Sequence, residues 1–184
     1  MLPPVPFWFL RHGETDWNAQ NLSQGNVDIP LNEAGLAQAH AAAAKLRGRG
    51  IVTIITSPLS RALVTAEIVG VALGLPLGVD EGLREVSFGE QEGKPMGDWY
   101  AEWVTDRFTP EGAESFLALR IRAAAAIGRA QEKPPAVLVV AHGALFRAVR
   151  RLMGLEANVR TQNAQPMLCT PGADGEPWTL DAVS

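Results

Sequence analysis

A chain of 184 residues and 19.7 kDa suits one domain and can bury a core without staples. Its 47% hydrophobic and 20% charged residues exclude a disordered chain, and its single cysteine, Cys169, excludes an internal disulfide and a cysteine-built zinc site. No apolar run reaches the roughly 20 residues of a bilayer span, and a net charge of −4 argues against non-specific nucleic-acid binding, though not against a small anionic ligand.

Residues 1–6 lack a basic start, and prolines break their apolar run. They read as a strand lead-in, not a signal peptide, so the expected location is the cytoplasm. A monomer and a homodimer are both compatible with the sequence. Residues 5–10 form a short aromatic-rich apolar run, hence a strand. The Ala-rich stretch 32–47 predicts a helix with Asn32 as N-cap, Leu36, Ala39, Ala43 and Leu46 on its apolar face, and Gly48 and Gly50 as its stop. Residues 52–56 are β-branched and predict a second strand. Ser57-Pro58 reads as a cap followed by a first-turn proline, opening a helix with Leu59, Leu63, Ala66 and Leu73 in one stripe and its end near Gly74. A long helix follows at 113–131, with Phe116, Leu119, Ala123 and Ile127 inward. Residues 136–140, after a Pro-Pro loop, predict a buried strand, and 145–153 a helix closed by Gly154. Weaker strands at 167–170 and 178–180 finish the chain.

This alternation predicts an α/β fold: a three-layer α/β/α sandwich with a mainly parallel central sheet and an antiparallel edge, in one domain spanning 1–184. The stretch 83–112 breaks the rhythm and is rich in Gly, Glu and aromatics. It reads as an excursion over the functional site.

Three predicted strands are each followed by residues that carry chemistry. Arg11-His12-Gly13-Glu14-Thr15 follows the first, Ser57-Pro58-Leu59-Ser60-Arg61 the second, and Ala141-His142-Gly143-Ala144 the third. Ligands of open α/β sheets bind beyond the carboxyl ends of the strands, so two arginines and two of the chain's three histidines converge on one rim. Guanidinium forks match phosphate oxygens, while two arginines oppose a metal cation. One imidazole can attack phosphorus in line, and the other, with the arginines, can stabilise the equatorial oxygens. The leaving alkoxide needs a proton, for which Glu85 and Glu14 are the candidates, with Glu90 as a further substitute. Neutral His12 and protonated Glu85 together predict a bell-shaped pH profile.

These residues resemble the histidine phosphatase superfamily, the phosphoglycerate mutase-like enzymes. The resemblance runs through Arg11-His12-Gly13-Glu14-Thr15 with Trp17-Asn18, Ser23-Gln24-Gly25 and the stretch from Asp28 to Gly35. It continues through Ser57-Pro58-Leu59-Ser60-Arg61-Ala62 with Thr65-Ala66, Leu83-Arg84-Glu85 with Phe88-Gly89 and Glu92-Gly93, and Ala141-His142-Gly143. It implies a phosphoglycerate mutase-like fold and His12 as the nucleophile that becomes phosphorylated. Arg11, Arg61 and His142 would form the phosphate pocket, with Glu85 as general acid/base. Asn18, Gln24, Gly25 and Gly143 would contact phosphate or substrate. It implies no metal and no cofactor, and a small phosphorylated metabolite or inorganic phosphate as ligand, with no nucleic acid or membrane partner. The short segment after Gly93 favours the small phosphatases of the family over its mutases, because a short cover leaves a phosphohistidine open to water.

Other residues read more plainly. Trp99, Tyr100, Trp103 and Phe108 have the spacing of a packed helical face, with pocket lining as the second reading. Arg147, Arg150 and Arg151 read as a solvated helix face, His40 as a surface residue and Cys169 as a buried hydrophobe. Asn163 is a candidate to face the pocket.

Overall fold

Two strands in which every residue is buried, β1 (Phe7–Arg11) and β4 (Val137–Ala141), form the centre of a six-stranded sheet. The computed structural model describes residues 2–173 and 175–183; Met1 and Ser184, the ends of the expected domain, lie outside the described residues. The other strands are β2 (Thr53–Thr56), β3 (Leu77–Val79), β5 (Met167–Thr170) and β6 (Thr179–Ala182), in the order β3-β2-β4-β1-β5-β6. The first four are parallel, while β5 runs antiparallel to β1 and β6 to β5.

Strand alternation divides the core in two. Phe7, Phe9, Val137, Val139 and Ala141 pack with α5 (Phe116–Gln131) and α6 (Gly143–Leu152). Trp8, Leu10, Leu138 and Val140 pack with α2 (Glu33–Leu46) and α3 (Ser60–Leu73). Helices therefore cover both faces, giving the three layers expected, and each fully buried Phe, Leu or Val contributes about 1.5–3 kcal/mol. The inward stripe Phe116, Leu119, Ala123 and Ile127 of α5 is fully buried, as its spacing predicts.

Several local expectations differ from the structure. The helix after β2 begins at Ser60, with Leu59 as a cap that makes no side-chain bond, so Ser57 and Pro58 remain in the loop. Asp28 caps this helix from outside: its Oδ1 accepts from Ser60 N at 2.8 Å and Ser60 Oγ at 2.7 Å. The buried face of α3 is Arg61, Ala62, Thr65, Ala66, Val69 and Gly70, while Leu63 and Leu73 are only half-buried. The sheet-facing stripe is made of small residues and also carries Arg61 and Thr65 inward. On α2 the buried row begins at Gly35 and continues through Ala39, Ala42, Ala43 and Leu46, leaving Leu36 40% exposed. Helix α6 starts at Gly143, directly after β4, with His142 at the cap position.

A single 3-10 turn, Glu81–Leu83, leads into the excursion, which contains a second, Gly89–Gln91, and a short helix, α4 (Trp99–Val104). A further turn of helix, α1 (Asp16–Ala19), is closed by a Thr15–Asn18 capping box. Phe88, Tyr100 and Trp103 form an edge-packed aromatic cluster that joins Phe116 of α5, so the excursion belongs to the α5/α6 core. Phe108 is 43% exposed and outside that face. Cys169 is fully buried, as expected. No helix among the described residues is long and apolar enough to cross a membrane.

Candidate active site

Sheet register brings the rim together. Arg11 pairs with Ala141 and Thr56 with Val140, so His12, His142 and Ser57 leave three adjacent strands side by side. The His12 and His142 rings lie 5.2 Å apart, and both side chains are buried. His12 Nδ1 sits 2.6 Å from the Gly13 carbonyl oxygen. A carbonyl only accepts, so Nδ1 carries the proton and Nε2 holds the lone pair. Burial, then the charges of Arg61 and Arg11, hold His12 well below the usual imidazole range. His142 is held low by burial, Arg61 and His12 in that order, and its Nε2 lies 2.7 Å from Ser57 Oγ.

The arginines are fixed by main chain. Arg11 Nη1 donates to Thr161 O at 2.6 Å; Arg61 Nη1 and Nη2 donate to Val27 O at 2.8 Å and Gly25 O at 2.7 Å. Burial lowers both: Arg11 falls to about 10, which leaves it a cation at neutral pH. The first-turn Arg61 opposes its helix dipole, and Asp28 supplies a compensating charge at that terminus within the chain itself. Gly25 turns at φ +53°, where a Cβ would also collide with the Glu92 carboxylate. At Gly143 a Cβ would stand 3.2 Å from Arg11 Nε, so this glycine lets the guanidinium lie against the start of α6.

Three nitrogens of this cluster, Arg11 Nε, Arg61 Nε and His142 Nδ1, are buried without a hydrogen-bond partner among the described residues. Such groups are costly unless something meets them. Unpartnered guanidinium and imidazole nitrogens are donors of the kind that tetrahedral phosphate accepts from.

Glu85 is buried at the edge of the same cavity. Its Oε2 accepts from Ala144 N at 2.9 Å, and its Oε1 from Leu145 N at 2.9 Å and Val86 N at 3.0 Å. It therefore caps α6 from a segment about 60 residues away. Glu14 takes no comparable place: its Oε1 accepts from Asn32 Nδ2, outside the cavity, and Glu90 is exposed.

Arg11, His12, Asn18, Gln24, Gly25, Arg61, Glu85 and Gly143 all border one cavity of about 160 Å³. His142 sits behind its wall, against Ser57. Asn18 borders the cavity and also closes the turn at Thr15. Its Oδ1 accepts from Thr15 N and Asn163 Nδ2. Gln24 Oε1 accepts from Thr15 Oγ1 at 2.7 Å. Asn163 is a brace, not a cavity wall: its Nδ2 also donates to His12 O at 3.0 Å.

Sequence reasoning missed the contributions of Thr65, Arg147 and Arg160. Thr65 Oγ1 accepts from Gly13 N at 3.1 Å and donates to Arg61 O at 2.7 Å, tying the His12-Gly13 turn to α3. Arg147, read as part of a solvated face, borders the cavity with its guanidinium 4.4 Å over the Tyr100 ring. Tyr100 both packs in the aromatic cluster and lines the cavity, and Arg160 closes its rim. Position one turn along α6 from Gly143 was the available signal for Arg147; Arg160 had none.

Residues 7–170 match the family model described as histidine phosphatase superfamily, branch 1. The chain belongs to that superfamily. It is 38% identical over 164 residues to the probable phosphoglycerate mutase GpmB of Yersinia pestis (strain Pestoides F), covering 82% of this chain and 76% of that one. Among solved structures it is similar to a mycobacterial glucosyl-3-phosphoglycerate phosphatase in complex with VO3. The TM-score there is 0.83 at 32% identity, covering 97% of this chain and 98% of the other. Mycobacterial hydrolase 1 gives a TM-score of 0.82 at 31% identity, with 96% and 97% covered. Superfamily membership fits the phosphoglycerate mutase-like fold expected from the motifs.

Proposed function

We propose that this chain is a metal-independent phosphomonoesterase acting on a small phosphorylated metabolite through a phosphohistidine on His12. The observation that carries the reading is the set of unpartnered buried nitrogens on Arg11, Arg61 and His142 around the free Nε2 of His12. The mycobacterial structures at 32% and 31% identity support hydrolysis as the reaction.

In this mechanism the ester's phosphate takes the hydrogen bonds of Arg11, Arg61 and His142, and Asn18 and Gln24 border the same space. His12 Nε2 attacks phosphorus opposite the ester oxygen; the N–P bond forms as the P–O bond breaks. The arginines and His142 stabilise the charge on the equatorial oxygens. Glu85 gives the departing alkoxide its proton. Oε2 is the oxygen with a lone pair to spare, since it accepts only one N–H. A water then attacks the phosphohistidine, with Glu85 taking its proton, and inorganic phosphate leaves. The whole chain acts as one domain in this reading.

The test is hydrolysis of p-nitrophenyl phosphate in EDTA, wild type beside His12→Ala. Wild-type turnover that disappears in the variant, with acid-labile, alkali-stable phosphate on His12, is the expected result. Label on Ser57 or Ser60 refutes the mechanism. The Yersinia relative's name favours a second reading, a mutase. That reading requires strong stimulation by a bisphosphorylated cofactor and net isomerisation of a phosphoglycerate.

A further inference from the structure

His142 serves phosphate in only one of its two neutral forms. An imidazole with a single proton donates from one nitrogen and accepts at the other. The nitrogen without a partner among the described residues is Nδ1, so a role toward phosphate needs the proton there. The ring is fully buried, and burial first, then the charges of Arg61 and His12, hold it well below the usual imidazole range. It therefore carries one proton at neutral pH, and its neighbours decide which nitrogen holds it.

The deciding neighbour is Ser57, itself fully buried. Its Oγ stands 2.7 Å from His142 Nε2 and accepts from Leu59 N at 3.3 Å. The hydroxyl has one proton to give, and among the described residues Oγ bonds only with these two groups. The Leu59 N–H is a donor, so Nε2 is the acceptor open to the hydroxyl. Nε2 then holds the lone pair and Nδ1 the proton. In the reverse arrangement two N–H donors would crowd Oγ, and the buried hydroxyl proton would lack an acceptor, which is costly.

Two features reserve Ser57 for this task. Its main chain is clamped on both sides: N donates to Val140 O at 3.0 Å, and O accepts from Thr56 Oγ1 at 3.1 Å. The hydroxyl is thus held beside the strand that ends at His142. A serine ahead of a helix ordinarily turns its oxygen to the first-turn N–H groups. Here Asp28 takes Ser60 N and Oγ instead, at 2.8 and 2.7 Å, and Ser57 is left to face His142. The Leu59 N–H on Oγ strengthens the donation, because bonds in such a chain polarise one another.

Resting on the phosphatase reading, we propose that Ser57 is a positioning residue whose hydroxyl locks His142 in the Nδ1–H form, so that the ring meets phosphate as a donor and not as a lone pair. No bond forms at Ser57 during the reaction, and no proton is transferred to it.

The test reads the tautomer directly. The chain has three histidines, His12, His40 and His142, so nitrogen NMR of protein with isotope-labelled histidine is assigned by replacing each with Gln. Near neutral pH, wild-type His142 is expected to carry one proton, on Nδ1. In Ser57→Ala that proton should spread over both nitrogens, and Ser57→Thr should return it to Nδ1. Ser57→Ala should also lower kcat on p-nitrophenyl phosphate at least about tenfold, part of the roughly hundredfold or more that a lost oxyanion donor costs, with KM changed less than about threefold. Ser57→Thr should recover most of that loss. A wild-type proton on Nε2, or on both nitrogens, overturns the proposal. So does a folded Ser57→Ala that keeps the Nδ1–H form or the wild-type kcat. The wild-type spectrum is read first, so the proposal stays refutable even where Ser57→Ala fails to fold. Wild-type protein inactive on every ester refutes the phosphatase reading instead, and the spectrum, which needs no turnover, then decides the tautomer lock by itself.

Discussion

Replacing Arg122 with Met tests how the candidate proton donor is held in place. Arg122 lies on α5 and reaches the segment that carries Glu85. Its Nη1 donates to Gly82 O at 2.9 Å and Arg84 O at 2.8 Å, with a longer 3.5 Å approach of Nη2 to Glu85 O. Nε and Nη2 grip the Glu114 carboxylate at 2.9 and 2.6 Å. Methionine keeps most of the apolar stem and removes every donor. The two guanidinium-to-carbonyl hydrogen bonds and the ion pair are all charge-assisted, and at about 1.5 kcal/mol each they give a gross loss of roughly 4–5 kcal/mol. Arg122 and Glu114 side chains are 27% and 21% exposed, so water re-solvates part of what is lost and about 2–3 kcal/mol remains. For a domain of this size that lowers Tm by about 5–10 °C. Released from α5, the 82–85 backbone no longer presents Glu85 in register with α6. We therefore expect kcat to fall at least about tenfold, near 1.4 kcal/mol of barrier, with a smaller change in KM. Arg122→Lys keeps the charge but reaches either Glu114 or the carbonyls, and should fall between. Thermal melting and steady-state kinetics on the folded variants check both claims. A melting temperature within about 1 °C of wild type, with kcat unchanged, would refute the reasoning.

Other expectations follow from single contacts. Thr65→Val keeps shape but leaves Gly13 N–H without its acceptor, so urea melts should show a loss of about 1–3 kcal/mol, with reduced kcat. Gly143→Ala puts a methyl group 3.2 Å from Arg11 Nε; product-inhibition assays should show weaker orthophosphate binding, by several-fold, at nearly unchanged Tm. Both site histidines are held below their ordinary pKa by burial, so the unfolded chain binds more protons than the folded one once pH drops below about 6.5. Stability should be full above that value and fall with acidification, each histidine adding up to about 1.4 kcal/mol per pH unit. His12→Gln should make the acid side of the curve shallower, as read by denaturant melts at pH 7.5, 6 and 5; an unaltered slope would contradict the burial argument.

The parts of the fold legible in the sequence are those fixed by local pattern. β1 and β4 are short and buried throughout because both faces are covered, and apolar but for Arg11 at the end of β1, and α5 keeps a clean inward stripe. The placement of Arg11, His12, Arg61 and His142 follows from position after strands, which is also local. β3 is three residues long and carries no period of its own. The start of α3 was misread because its cap is Asp28, 32 residues earlier in the chain, and not the Ser-Pro pair beside it. Glu85 was legible as an acid but not as the cap of α6, since that depends on two distant segments meeting. The sequence reads Arg147 by its neighbours on the helix, whereas its setting is decided by the Tyr100 ring it stacks on.

The partners of Arg11 and Arg61 are the carbonyl oxygens of Thr161, Gly25 and Val27. A carbonyl cannot be titrated and leaves no counter-ion to be displaced, so the cradle's shape is independent of pH wherever the chain is folded. It also shifts what evolution can alter. Any side chain that tolerates the backbone can stand at position 27, because the atom in use is common to all residues. Inserting or deleting one residue in the loops that carry these oxygens would move them out of reach. For these two arginines the inherited information is loop length, so a library that varies length there should be far less tolerant than one that varies identity at position 27.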